Sequence, residues 1–326
     1  MTTRDLRRIG FQEDDIVFLH SGQCVQFESV CRFMKDDKAM RPSRIHFEFG
    51  VNSGAHPSAR GTINAFALPD PKVDIRPYFY AMSRRVHQDV LESDRLVFGA
   101  FTRDVADSFS RFLDMRVDAF PLPSKAPQSA RDRQKAALPV IGILGYQTPA
   151  KGYHFVPDIV RKVQALRPEC HFLIHNSYLK HPAHTDVRGL AKGNAGVTLV
   201  EGPADHKMWW SLIDRCDIIV CPYEPARYQG SYSAIMGEAI LAGVPAVGPA
   251  NTSLAVMAET YGSGFVPFGN WKADAISESV VQSIDKFEQL LPKSKLASRK
   301  WQEKNGAELL VKRLALNLPT WSASPV

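Results

Sequence analysis

The chain has 326 residues, 44% of them hydrophobic and 23% charged, enough to bury one large or two ordinary cores and too apolar for a disordered or low-complexity protein. Forty Lys and Arg against 34 Asp and Glu give a formal charge of +6, which favours anionic partners such as nucleotides and phosphates. The surplus is spread along the sequence rather than clustered, so nucleic acid is not expected as a partner.

Residues 1–10 are polar and basic and lack the apolar stretch of a signal peptide. Arg4, Arg7 and Arg8 there would suit peripheral contact with the inner face of an acidic membrane, although a simply solvated terminus is the expected reading. Strands are expected over 16–20, 45–49, 96–101 and 117–120, with helices near 23–36, 75–92 and 103–113 between them. Strand and helix in alternation imply a mostly parallel sheet covered by helices. A polar, charged, Pro-containing stretch follows, and 124–136 is expected to be an interdomain linker. The pattern then restarts with a strand over 140–145, a helix over 152–166, and strands over 171–175 and 197–200. It continues with a helix over 206–214, a strand over 217–221, a helix over 233–242 and a strand over 244–247. Residues 272–316 are helical in pattern. The longest uncharged stretch, 239–258, is interrupted by Pro245 and Pro249 and does not fit a membrane span. Five cysteines, Cys24, Cys31, Cys170, Cys216 and Cys221, match no metal-ligand spacing, and their odd number argues against a disulfide scaffold. A reducing cytoplasm is the expected location.

The expected fold is therefore α/β, with two Rossmann-like doubly wound domains in tandem facing a cleft. A reduced acceptor-side domain covers 1–123, the linker 124–136, a nucleotide-binding domain 137–270, and a helical segment 271–326 that packs back across both. Ligands bind beyond the carboxyl ends of strands in open sheets of this kind.

Two segments carry chemistry. In Gly142-Ile-Leu-Gly145-Tyr-Gln-Thr-Pro-Ala-Lys151-Gly152 a buried strand runs into a loop that opens a helix. Glycine at the strand end admits a ligand to the backbone, the helix N-terminus offers unpaired N–H groups, and lysine adds full charge, which together suit a diphosphate. In Cys221-Pro-Tyr-Glu-Pro-Ala-Arg227-Tyr228-Gln-Gly-Ser231-Tyr-Ser233 a loop leads into a short helix bearing Glu238 on its apolar stripe, followed by Ala-Ile-Leu-Ala-Gly243-Val-Pro245. A carboxylate there needs a partner, and a ribose diol or a neighbouring backbone amide would each serve. The Trp209-Trp210 pair and Phe155 are expected in the core, and the remaining histidines, among them His175, His181, His184 and His206, show no metal-ligand spacing.

These two segments, with Asp217-Ile-Ile-Val-Cys-Pro-Tyr223 and the Glu-Ala-x-x-x-Gly-Val-Pro run, resemble the C-terminal half of nucleotide-sugar glycosyltransferases of the GT-B fold, group 1 (glycogen-synthase-like, retaining) type, over roughly 95–260. The resemblance implies that Lys151 holds the donor diphosphate, that Glu238 binds the donor ribose, and that Tyr228, Ser231 and Ser233 cradle phosphate and sugar. Gly145, Gln147 and Arg227 complete the implied donor set, with Lys151 and Glu238 carrying the chemistry. Gly230 stands where the family often has a second Glu, and Gln147 where a basic phosphate ligand is common. The first strand lacks the family's Gly-rich loop. Acceptor-side candidates are His20, Gly22 and Glu48, with His46 as a catalytic base. No Asp-x-Asp pattern occurs, so the reaction is expected to be metal-independent, with no cofactor beyond the nucleotide-sugar donor and with a glycan, lipid-linked or small-molecule hydroxyl as acceptor. A nucleotide-sugar-binding protein without turnover and a sugar-nucleotide epimerase are the competing readings.

Overall fold

Along β2 (Arg44–Phe49) side chains alternate between the two faces of the sheet, and Ile45 to Phe49 are all buried, which marks an interior strand. In the computed structural model, which describes residues 3–10, 15–22, 24–36, 44–49, 82–91, 95–122, 139–228 and 232–315, β2 pairs in parallel with β1 (Ile16–Gly22) and β3 (Leu96–Ala100). With β4 (Asp118–Ala119) they form a four-stranded parallel sheet in the order β1-β2-β3-β4. One face carries an aromatic core in which Phe27 of the helix Cys24–Asp36 meets Phe47, Phe49 and Phe98, and Phe109 of the helix Arg103–Leu113 stacks on Phe49 at 4.1 Å. The helix Ala307–Ala315 packs on β1. Asn305 Oδ1 accepts from the Leu122 N–H at 2.9 Å, and the Gly306 N–H donates to the Leu122 carbonyl at 2.7 Å.

The second unit takes in residues 124–229 and 233–304. Its strands are β5 (Val140–Ile143), β6 (His171–Asn176), β7 (Val197–Glu201), β8 (Ile218–Val220), β9 (Ala246–Pro249) and β10 (Phe265–Phe268). All pair in parallel in the order β10-β9-β8-β5-β6-β7. Read from β7 this is the Rossmann order, and it reverses between β5 and β8, the point where such sheets bind ligands. The helix Val156–Leu166 buries Val156, Ile159, Val160 and Val163, one stripe at helical spacing, against Ile141, Phe172 and Ile218 of the sheet.

Several boundaries differ from expectation. The helix expected from 152 begins as two 3-10 turns, Pro149–Lys151 and Tyr153–Phe155, because Gly152 at φ +67° interrupts the spiral. The strand expected at 244–247 is shifted to Ala246–Pro249, held back by left-handed Gly243 and by Pro245. The edge strand β10, which carries exposed Pro267 where no ladder bond is needed, and the helices Thr3–Ile9, His184–Gly193 and Ser253–Tyr261 were not expected. The 272–316 stretch is helical, but it does not form a separate segment. Ala273–Asp285 and Phe287–Lys304 belong to the second unit and Ala307–Ala315 to the first. The linker 124–136 and the first part of the helix expected near 75–92 lie outside the described residues, while 82–91 is largely helical. No described helix is long and apolar enough to cross a membrane.

Candidate functional site

At the switch point of the second sheet, the chain leaving β5 turns at Gly145 with φ +116°, a conformation that disfavours any side chain. A methyl group there would stand 2.8 Å from Ile235 Cδ1, 3.7 Å from Lys151 Nζ and 3.8 Å from Trp209 Cη2. Gly145 is thus the bare floor on which Lys151, Trp209 and the first turn of the helix Ala234–Leu241 converge. Gly152 is fixed as firmly. It is left-handed, and a side chain would drive into the Pro222 carbonyl oxygen. The Glu224 N–H donates to the Ala150 carbonyl at 2.8 Å, so the loops after β5 and β8 are zipped together, and Lys151 Nζ lies 5.3 Å from the centre of the Tyr223 ring.

Ser233 caps the helix Ala234–Leu241, its hydroxyl oxygen accepting from the Met236 N–H at 3.3 Å. Glu238 lies further along this helix, near enough to Lys151 for their charges to influence one another. Burial pushes its carboxyl up to about 7, against the hydrogen bond from Trp209 and the Lys151 charge, which favour ionisation. Burial also lowers Lys151, with Cys221 and the Glu238 carboxylate opposing. Each group is pressed toward its neutral form in a place where neither finds full compensation, a pattern that clusters at functional sites.

The loop after β5 is braced from below. His175 Nδ1 accepts from the Gly145 N–H at 3.3 Å and its Nε2 faces the Gly202 carbonyl at 2.9 Å, so the proton sits on Nε2. Burial lowers the pKa of this imidazole, consistent with the neutral ring that the geometry requires. Gln147, expected on the donor, points inward instead. It is 1% exposed, its N–H donates to Asn176 Oδ1 at 3.4 Å, and its Nε2 donates to the His175 carbonyl at 3.3 Å. Its neighbour Tyr146, 51% exposed and paired with Tyr178 at 4.9 Å, is the side chain the loop presents outward, and sequence reasoning missed it. Arg227 is exposed and stands 3.8 Å from Glu224 within its own turn. Tyr228 packs its ring on Tyr223 at 4.4 Å, and its carbonyl accepts from the Ser253 hydroxyl. Ser231 lies outside the described residues. Trp210 is core as expected, donating to His206 Nε2 at 3.1 Å. Phe155 also joins the core, against Trp271 at 5.3 Å. Trp209 departs from expectation, because it is only partly buried and its ring edge lies beside the Gly145 floor.

In the first unit, β1 and β2 place His20 and Glu48 together at the carboxyl end of the sheet. Glu48 is fully buried, and its Oε2 lies 2.5 Å from Nδ1 of half-exposed His20. The hydrogen bond to Glu48 raises the imidazole pKa. Phe101 meets the His20 ring edge-on at 5.5 Å. Gly22 leaves the space that the Phe47 ring occupies, which is a packing role. His46 does not face outward. It pairs with Phe18 in the strand register, is fully buried beside Phe120, and burial holds its pKa down to about 4. A neutral, enclosed imidazole is a packing residue, and the exposed base candidate of this sheet is His20. Among the described residues, no three His, Cys, Asp or Glu side chains gather as a metal site.

No family model matches the sequence, and no curated protein matches it either. Solved structures do. Sucrose-phosphate synthase from Thermosynechococcus elongatus is similar with a TM-score of 0.61 and 14% identity, over 92% of this chain and 71% of that one. The pneumococcal O-GlcNAc transferase GtfA, in complex with UDP and GlcNAc, gives 0.63 and 13% over 95% and 58%. Anabaena HepE in complex with UDP-glucose gives 0.58 and 12% over 92% and 77%. At these identities the likeness establishes the fold. It is the two-Rossmann GT-B fold of the glycosyltransferases, and the chain spans little more than half the length of GtfA.

Proposed function

We propose that this chain is a glycosyltransferase that moves a sugar from a nucleotide-diphosphate sugar to a hydroxyl of a glycan, lipid-linked or small-molecule acceptor. The observation that carries the proposal is the convergence of Lys151 and the Ser233-capped helix on the bare Gly145 floor, with Glu238 on that helix electrostatically coupled to Lys151, at the point where the strand order of a Rossmann sheet reverses. A ligand bearing both a diphosphate and a vicinal diol satisfies both groups at once. The diphosphate supplies the counter-charge that desolvated Lys151 lacks, and the diol donates to the Glu238 carboxylate.

Glycosyl transfer passes through an oxocarbenium-like state while charge grows on the departing diphosphate. Lys151 and the free N–H groups of the helix Ala234–Leu241 provide fixed positive potential for that charge. On the acceptor side, His20 oriented by Glu48 takes the role first expected of His46. Retention of configuration is proposed from the sequence resemblance, and a metal-independent reaction from the absence of an Asp-x-Asp pattern in the sequence.

The test is thermal denaturation with a panel of nucleoside diphosphates and their sugars, using wild type, Lys151→Ala and Glu238→Ala. A ligand at about a hundred times its Kd adds roughly 2.7 kcal/mol to stability. A shift in wild type that both variants lose supports the donor site, and release of nucleoside diphosphate with a glycosylated acceptor completes the case. A folded wild type that no nucleotide shifts refutes it.

A further inference from the structure

Asn176, the last residue of β6, is fully buried, and every hydrogen-bonding position of its side chain is taken. Its Oδ1 accepts from the Gln147 N–H at 3.4 Å and from the Tyr178 N–H at 2.7 Å. Its Nδ2 donates to the Tyr178 carbonyl at 3.0 Å and to His184 Nδ1 at 3.1 Å. Two N–H groups on one side and two acceptors on the other leave the amide a single orientation. Because His184 Nδ1 accepts, the ring proton is on Nε2 and goes to Glu201 Oε1 at 2.7 Å, at the end of β7. Arg188 donates to the same carboxylate oxygen. One buried amide thus joins the loop after β5 to the loop after β6 and, through His184, to the end of β7.

Resting on the donor-site reading above, we propose that Asn176 is a positioning residue that holds the loop from Gly145 to Lys151, and with it the Lys151 ammonium, in the place where a diphosphate binds. The loop is fastened at two points close together. Gly145 is held through its N–H by His175 and through its carbonyl by the Ser177 N–H at 3.3 Å, and Gln147 is held by Asn176. Lys151 follows four residues later through a 3-10 turn, its own N–H donating to the Thr148 carbonyl at 2.9 Å, so its place depends on that of Gln147. Without the Asn176 oxygen the Gln147 N–H would be buried with no acceptor, and the loop would have to move to find one. That movement takes Lys151 away from the diphosphate and leaves Glu238 where its own helix holds it.

The experiment measures, at pH 6 and pH 8.5, the Kd of the nucleoside diphosphate that most stabilises wild type, for wild type, Asn176→Asp and His184→Leu. Each affinity is taken relative to wild type at the same pH, which cancels the titration of Glu238 and of the ligand. Asp keeps an oxygen for the two N–H groups but turns the donating side of the side chain into an acceptor. A neutral His184 has one ring proton for two carboxylates, the new one and Glu201, whereas a protonated His184 serves both. Arg188, 3.5 Å from Nε2, the Tyr153 hydroxyl, and His181 with His154 beyond it also face His184. Asn176→Asp is therefore expected to bind about threefold to tenfold more weakly than wild type at pH 8.5, the range of one hydrogen bond, and within about twofold of it at pH 6. His184→Leu leaves the Asn176 nitrogen without its acceptor and has no ring to titrate, so it is expected to lose about threefold alike at both pH values. An Asn176→Asp affinity equal to wild type at both pH values, or reduced equally at both, overturns the proposal by reducing Asn176 to a packing role. If Asn176→Asp does not fold, wild-type affinity in His184→Leu overturns it. These outcomes leave the donor site standing, whereas a wild type that no nucleoside diphosphate stabilises overturns the donor site itself.

Discussion

Replacing Glu238 by Gln should make the ligand-free protein more stable above neutral pH while removing the charge proposed to bind ribose. The carboxyl is moved by burial from an ordinary 4.5 to about 7 in the folded chain. In the unfolded chain it ionises near 4.5, so between these values the folded state binds the extra proton and stability falls as pH rises. Each pH unit of that gap is worth about 1.36 kcal/mol, so the accumulated cost above pH 7 is about 3 kcal/mol. Gln keeps nearly the same volume and carries no charge to desolvate. Stability measured by urea unfolding from pH 4.5 to 8.5 should therefore converge for the two proteins at the acid end and separate toward pH 8. At about 2–4 °C per kcal/mol for a unit of this size, the melting temperatures should differ by roughly 6–12 °C at pH 8. Two parallel stability curves across the whole range would refute the reasoning, because they would mean that Glu238 titrates alike in both states.

Lys151→Met keeps the aliphatic stem beside Tyr223 and removes a charge that burial disfavours. The ligand-free variant should melt no lower than wild type, while calorimetric affinity for a nucleoside diphosphate falls about 10- to 150-fold, the worth of one charged hydrogen bond of about 1.5–3 kcal/mol. Gly152→Ala should cost about 2–5 kcal/mol in chemical denaturation, from the left-handed backbone and from overpacking against the Pro222 carbonyl. His46 is held neutral down to about pH 4 although it protonates near 6.5 when unfolded, so wild-type stability should fall as pH drops through that window. In His46→Phe the acid limb of the stability curve should flatten, and an unaltered limb would show that this imidazole is not the group being titrated.

The sequence displayed the second unit more openly than the first. β5 and β8 are built mainly of Val and Ile and β6 has Phe-Leu-Ile at its centre, as strands buried on both faces require, and the Lys-Gly loop and Glu238 stand out in the pattern around them. What remained hidden turns on direction rather than composition. Gln147 and Tyr146 are adjacent, and only the path of the loop after Gly145 decides that Tyr146 faces out while Gln147 is tied to the end of β6. Trp209 and Trp210 are equally apolar on paper, and their separation depends on how the helix is rotated against the sheet. His20 and His46 lie on the same face of their sheet, but His46 sits mid-strand opposite Phe18 and His20 at the exit. β10 has four residues with a proline among them, too short a run for alternation to show.

The helix Ala307–Ala315 completes the first unit although nearly two hundred residues of the second lie between it and Leu122, its partner through Asn305 and Gly306. During synthesis, β1 to β4 leave the ribosome with one flank of β1 uncovered, and they stay so until the whole second unit has been made. The second unit, by contrast, is largely continuous in sequence and can close on its own core first. The first unit thus gains its full set of elements only after the second has been made. The helix Ala307–Ala315 acts as a latch on the first strand, so the flank of β1 is covered only once the chain of the second unit has been made.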